Sequence, residues 1–96
     1  MSETVEIENV LQPGKTYRVD GAKFAAMRAA VLASLPGAAP GLTVAELEAA
    51  LLPRLPEALF PGGAKAGWWL KAAQLDLEAK GLVARGPGAP VRLHRR

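Results

Sequence analysis

The feature that most constrains this chain is a helical pattern over residues 64–80 that ends at a glycine. Its apolar side chains recur at the i, i+3, i+4, i+7 spacing of a helix face that packs on a core. They are Ala66, Trp69, Leu70, Ala73 and Leu77. Gly81 follows the last turn, where a left-handed residue ends a helix at little cost. Leu77 and Leu82 then stand where a Schellman stop has its hydrophobic pair. The sequence therefore predicts a long helix with a sharp end.

The outward side of this predicted helix carries two further strips. One is polar and consists of Lys71, Gln74 and Glu78. The other is apolar and consists of Trp68, Ala72, Leu75 and Ala79. A helix with two apolar strips is covered from two directions. Either strands from the N-terminus cover Trp68 and Leu75, or these two side chains form an interface with a partner, and the sequence leaves both alternatives open.

The N-terminal segment has the pattern of a β-hairpin. Apolar and acidic side chains alternate over residues 5–8, which is typical of a half-buried strand. Pro13-Gly14 supplies the signal of a type II turn. A second alternating run follows and contains Arg18. Pairing of the two strands is expected to bring Arg18 opposite Glu6 or Glu8.

Two helices with clear start signals come next. Asp20 is the expected N-cap of the first helix. The core stripe of that helix consists of Phe24, Met27, Val31 and Leu35. Pro36 ends it, because a residue before proline avoids the α region. The T-x-x-E pattern at residues 43–46 is a capping box that begins the second helix, and Pro53 breaks that helix. One further helical turn is predicted over residues 55–60.

Two short strands close the sequence, over residues 82–85 and 91–94, with a Gly/Pro turn between them. The complete order is a strand or hairpin, three helices and a hairpin. This order predicts a mainly α, α+β domain of the winged helix-turn-helix type. A chain of 96 residues suffices for one such domain. Its predicted parts are N-terminal strands at 1–19, a three-helix core at 20–80 and a β-hairpin wing at 82–96.

Three sequence blocks carry a resemblance to known families. The block L-E-A-K-G-L-V-A-R at residues 77–85 resembles the junction of recognition helix and wing in many bacterial winged-helix regulators. The blocks P-G-K-T-Y-R-V-D at 13–20 and F-P-G-G-A-K-A-G-W-W at 60–69 are similar to a family of small uncharacterised bacterial proteins, a domain of unknown function. This resemblance implies a winged-helix fold. It implies no catalytic residue and no known ligand.

The net charge of +3 is unevenly distributed along the chain. Residues 1–12 carry three glutamates and no base, whereas residues 85–96 carry four arginines and no acid. A basic wing is compatible with binding to DNA phosphates. The candidate DNA-binding residues are Lys65, Lys71, Gln74, Arg85, Arg92, Arg95 and Arg96. The acidic N-terminus would mask the wing if its glutamates lay beside Arg92 and His94 in one sheet.

The side chains of an enzyme or a metal centre are scarce in this sequence. Nucleophilic catalysis needs a nucleophile, a base and an orienting group, and the chain offers Ser2, Ser34 and the single His94. Metal sites are built from cysteine, histidine and carboxylates, and cysteine is absent. We therefore expect no enzyme, no metal and no cofactor, and no small-molecule ligand is inferable.

The sequence also bears on location. No run approaches the roughly 18 apolar residues of a membrane helix. The acidic N-terminus is unlike a signal or transit peptide, and the lack of cysteine fits a reducing compartment. We therefore expect a cytoplasmic protein with no membrane partner.

Two functions compete. The first is a DNA-binding, regulator-like protein that contacts double-stranded DNA mainly through phosphates. The second is a protein-interaction or dimerisation module without DNA binding, with Trp68 and Leu75 in its interface. A homodimer is its simplest form, because a two-fold axis pairs a surface patch with itself.

Overall fold

The computed structural model describes residues 3–96 and has the predicted α+β order. Its strands and helices are β1 (Thr4–Glu8), β2 (Thr16–Asp20), α1 (Gly21–Ser34), β3 (Leu42–Thr43), α2 (Val44–Leu51), α3 (Ala66–Ala79), β4 (Val83–Arg85) and β5 (Arg92–Arg95). The N-terminal strands form a hairpin, the three helices follow, and β4 and β5 form the C-terminal pair. This is the layout of a winged helix preceded by an extra hairpin.

The starts of α1 and α2 have the predicted caps. The Asp20 carboxylate accepts a hydrogen bond from the Ala22 backbone N–H at 3.4 Å. At α2 the capping box is complete: the Thr43 N–H donates to the Glu46 carboxylate at 2.9 Å, and the Glu46 N–H donates to the Thr43 hydroxyl at 3.2 Å. The bond from the Thr43 N–H is the main reason why the pKa of Glu46 is lowered. These short-range signals fix both helix starts.

The chain between α2 and α3 makes three tight turns in succession. Leu52–Arg54 is a 3₁₀ turn that contains Pro53. The predicted further turn is closed by a hydrogen bond of 3.0 Å from the Phe60 N–H to the Pro56 carbonyl. A second 3₁₀ turn, Pro61–Gly63, leads into α3. The turns bury Phe60 in the core and give α3 its direction.

The end of α3 is the predicted Schellman stop. Gly81 has a φ of 75°, in the left-handed region that favours glycine. The Leu82 N–H donates to the Leu77 carbonyl at 2.9 Å, which is the long hydrogen bond of this motif. The chain turns directly into β4 as a result.

The strands form two separate sheets. In the first, β1 and β2 are antiparallel, with Glu6 opposite Arg18 as predicted and an ion pair of 3.5 Å between them. The second sheet has the order β3-β5-β4, so that a two-residue strand before α2 pairs with the last strand. The strand β3 was not predicted from the sequence. Gly41, just before it, is essential to the pairing, because a Cβ there would lie 2.1 Å from the Leu93 carbonyl oxygen.

The hydrophobic core lies among the three helices and the second sheet. Its largest fully buried apolar side chains are Met27, Val31, Leu47, Leu51, Phe60, Leu70, Leu77 and Leu93. The predicted stripes of α1 and α3 contribute to this set, and α2 adds Leu47 and Leu51. Within residues 3–96, none of the helices has both the length and the apolar character needed to cross a membrane.

The condition under which the acidic N-terminus would mask the basic wing is not met. The glutamates of β1 lie in the two-stranded sheet, while Arg92 and His94 lie in the three-stranded one. Glu6 pairs with Arg18 of its own hairpin. The hairpin covers α3 instead of the wing, and this contact creates the surface described next.

A candidate interaction surface between the hairpin and the third helix

Backbone hydrogen bonds attach the end of the hairpin to the outward side of α3. The Val10 N–H donates to the Leu75 carbonyl at 3.3 Å. The Glu8 N–H donates to the Asp76 carboxylate at 2.8 Å. The helix is therefore covered from two directions, by its own core on one side and by the hairpin on the other.

Asp76 is the polar anchor of this contact. Its side chain is fully buried, and Oδ1 accepts from both the Glu8 N–H and the Lys80 ammonium group. Burial of a carboxylate is costly unless hydrogen bonds and a cation compensate it. The bond from the hairpin backbone was not predicted from the sequence. A backbone N–H donor has no residue type of its own, so no sequence signal could have revealed it.

The two candidate interface residues of the apolar strip have different surroundings. Leu75 is only 7% exposed, because the hairpin covers it. Trp68, two turns earlier on the helix, is 57% exposed. Of the two alternatives left open by the sequence, cover by the N-terminal strands is correct for Leu75 and wrong for Trp68.

A groove of about 350 Å³ remains between the hairpin and α3. We call it the hairpin groove, and its apolar lining consists of Ile7, Tyr17, Val19, Trp68, Ala72 and Leu75. Polar and charged side chains complete it, namely Glu8, Asn9, Arg18 and Lys71. An apolar cleft of this size with a few polar groups has the character of a binding site.

The exposed Trp68 ring packs against a neighbouring aromatic ring. It contacts Trp69 edge to face, with centroids 5.0 Å apart. Trp69 in turn contacts the buried Phe60 ring edge to face, at 6.4 Å. Such pairs favour one ring orientation over others. Trp68 is thus a large, more than half exposed apolar group that lines the hairpin groove and contacts one other aromatic ring.

In the predicted polar strip of α3, Lys71 is exposed, but Gln74 and Glu78 are not. Gln74 is only 2% exposed, and its Nε2 donates to Glu78 at 3.0 Å. Glu78 also accepts two bonds from the Arg85 guanidinium, at 2.6 and 2.9 Å. The hydrogen bond to Glu78 raises the pKa of Arg85. Gln74 and Glu78 therefore belong to a polar network that joins α3 to β4, and the prediction that Gln74 faces outward is corrected.

Some of the other candidate DNA-binding residues are held by contacts within the chain, and others are not. Arg92 forms an ion pair with Glu46 at 3.5 Å and donates to the Gly41 carbonyl at 3.4 Å. The Arg95 Nε donates to the Leu35 carbonyl at 2.9 Å. The exposed candidates whose side chains have neither an ion pair nor a hydrogen bond within residues 3–96 are Lys65, Lys71 and Arg96.

The described part of the chain offers no obvious metal centre, since residues 3–96 contain no group of three metal-ligating side chains.

Comparison with known proteins adds one assignment. Neither the curated proteins nor the solved structures gave a match to this sequence. A family of unknown function, DUF6958, matches residues 4–93, which is nearly the whole chain. The predicted resemblance to a family of unknown function is thereby confirmed, and the chain belongs to DUF6958.

Proposed function

We propose that this chain is a protein-interaction module that binds its partner through the hairpin groove. The observation that carries the proposal is Trp68, more than half exposed at the edge of an apolar cleft. Tryptophans in such positions are typical anchors of protein interfaces, because they bury a large apolar area with little loss of conformational freedom. The fold alone does not decide between functions, and it is this surface that favours an interaction module.

The side of α3 that would read DNA favours this choice. Base readout in a winged helix needs polar side chains on the exposed face of the third helix. Here Gln74 is buried, and Glu78 holds Arg85. The Glu48 carboxylate lies close to Gly67 near the start of the helix, and a carboxylate repels the phosphate backbone. Lys71 is the one exposed cationic side chain left between Ala66 and Ala79.

A photo-crosslinking experiment tests the interaction module. Benzoylphenylalanine replaces Trp68 in one variant and Leu52 in a matched control, since Leu52 is also an exposed apolar side chain but lies outside the hairpin groove. Both are irradiated as purified protein and in extract of the source cells. The proposal predicts discrete adducts from position 68 and none from position 52. Equal labelling from both positions, or no adduct from position 68, would overturn it.

A second candidate function is DNA binding through the phosphate backbone alone. Lys65 and Lys71 favour it, because both are exposed cations on or beside the first half of α3. Contacts of this kind carry little sequence information and weaken steeply with salt. They would suit a regulator-like protein that gains its specificity from a partner.

Titration with duplex DNA at low salt tests this second candidate. The Lys65→Ala/Lys71→Ala double variant should bind more weakly than wild type and have a shallower salt dependence. Arg92→Ala is the matched control, since this cation is already paired with Glu46. Absence of binding at micromolar wild-type protein, or equal losses in the double variant and the control, would remove the candidate.

A further inference from the structure

We infer that the occupant of the hairpin groove is a second copy of this chain, related to the first by a two-fold axis. The inference rests on the proposed function and names its partner. It follows from the shape of the surface and from the charges that line it.

The shape of the surface suits pairing with itself. Trp68 projects at the edge of the same groove that would receive an indole ring. In an isologous dimer, each copy presents the same patch to the other. A projection and a cleft that lie side by side can therefore fill each other twice, with the ring of each copy in the groove of the other. Tyr17, 42% exposed on the opposite wall, supplies further apolar contact area.

The charges of the groove are also self-complementary. Glu8 and Lys71 both line it, and neither belongs to an ion pair within residues 3–96. Arg18, the other charged lining residue, is already paired with Glu6. When two such grooves meet across a two-fold axis, Lys71 of each copy comes to the Glu8 side of the other. Both unpaired charges then gain a partner of opposite sign, in two equivalent pairs.

This symmetry provides a sharp test by charge reversal. A chain with Lys71→Glu has two acids in its groove, so two copies of it repel each other. A chain with Glu8→Lys has two bases and should also fail to pair. An equimolar mixture brings acids against bases in both pairs, so it should form a heterodimer. Each reversal alone is expected to weaken dimerisation by roughly tenfold or more, and the mixture should recover most of that loss.

The measurement is sedimentation velocity over a dilution series, with folding of every variant checked by circular dichroism. Arg54→Glu is the matched control, because Arg54 is an exposed, unpaired cation within residues 3–96 that lies outside the groove. Wild type and this control should dimerise alike. Trp68→Ala in both members should abolish dimerisation of the mixture, because the apolar anchor is then missing.

The possible results separate this inference from the proposed function. A wild-type protein that stays monomeric overturns the second copy as occupant, while adducts from position 68 to a different protein would still support the interaction module. If Trp68→Ala and both charge reversals leave the dimer unaffected, its interface lies elsewhere on the molecule, and this result also overturns the inference. A lack of any adduct from position 68 would overturn both the interaction module and the second copy as its partner.

Discussion

The two covered sides of α3 are sealed to different degrees. On the side of the helical core, Leu70, Ala73 and Leu77 are almost completely buried. On the side of the hairpin, Leu75 and Asp76 are buried, but a groove of about 350 Å³ remains beside them and Trp68 stands open to solvent. One side of α3 is therefore closely packed, whereas the other side leaves a groove and an exposed tryptophan.

The difference shows how the two contacts are built. The core side is formed by apolar side chains from several elements, which pack at high density. The hairpin side combines a few apolar contacts with hydrogen bonds from two backbone N–H groups, those of Glu8 and Val10. Hydrogen bonds fix the position of the hairpin without requiring that its side chains fill the space beneath it. A well-placed but incompletely filled contact is what a binding surface requires.

The largest expected effect is on the core side. Leu77→Ala should lower the free energy of unfolding by about 2–5 kcal/mol, because a fully buried side chain leaves a cavity. Lys71→Ala, on an exposed part of the same helix, should change it by less than about 0.5 kcal/mol. Urea unfolding of both variants measures the difference. Equal urea midpoints for the two variants would mean that Leu77 is no better packed than the exposed Lys71.

Truncation of a leucine on the hairpin side should lower the free energy of unfolding by less than Leu77→Ala does. Leu75→Ala is expected to lower the free energy of unfolding by about 2 kcal/mol, at the low end for a buried leucine. The adjacent groove already leaves space, so little packing is lost beyond the removed side chain. The comparison with Leu77→Ala in the same urea series sharpens the contrast, and a loss larger than that of Leu77→Ala would reverse it.

Removal of the polar anchor should loosen the hairpin specifically. Asp76→Ala leaves the Glu8 N–H without its acceptor and is expected to cost about 1–3 kcal/mol. Asp76→Asn keeps an oxygen for this bond and should recover part of the loss. Hydrogen exchange at the Glu8 amide reports on the contact directly. Exchange that is as slow in Asp76→Ala as in wild type would show that the bond does not hold the hairpin.

Among the apolar truncations, the smallest expected loss of stability is at Trp68, the residue that carries the proposed binding function. Trp68→Ala should cost about 0.5–1 kcal/mol, the value of its edge-to-face contact with Trp69. Urea unfolding at low protein concentration, where the chain is monomeric, measures this cost. A loss as large as that of Leu77→Ala would assign Trp68 to the core and remove the basis for a binding role.

Much of the fold could be predicted because its signals are local. The capping box at Thr43 and the stop at Gly81 each depend on residues within a few positions of one another. The apolar stripes of the helices have the same property. The strand β3 could not be predicted, because two residues are too few to show an alternating pattern.

The candidate surface was harder to predict because it depends on long-range contacts. Gln74 is buried and donates to Glu78, whose ion pair with Arg85 links α3 to β4. The different exposure of Leu75 and Trp68 depends on where the hairpin ends. Val10 reaches Leu75, whereas Trp68 lies seven residues earlier, roughly 10 Å along the helix axis. No pattern in the sequence encodes that distance.

The central claim is that the hairpin groove, and not the wing, is the surface that binds. It is tested most directly by the amide and indole NMR signals of the labelled chain, assigned and followed from millimolar to micromolar concentration. We expect concentration-dependent shifts for Trp68, Lys71, Glu8 and Tyr17, with the signals of β4 and β5 unchanged. Shifts centred on β4 and β5 would contradict the claim, and spectra that are identical at all concentrations would overturn the second copy as the occupant of the groove.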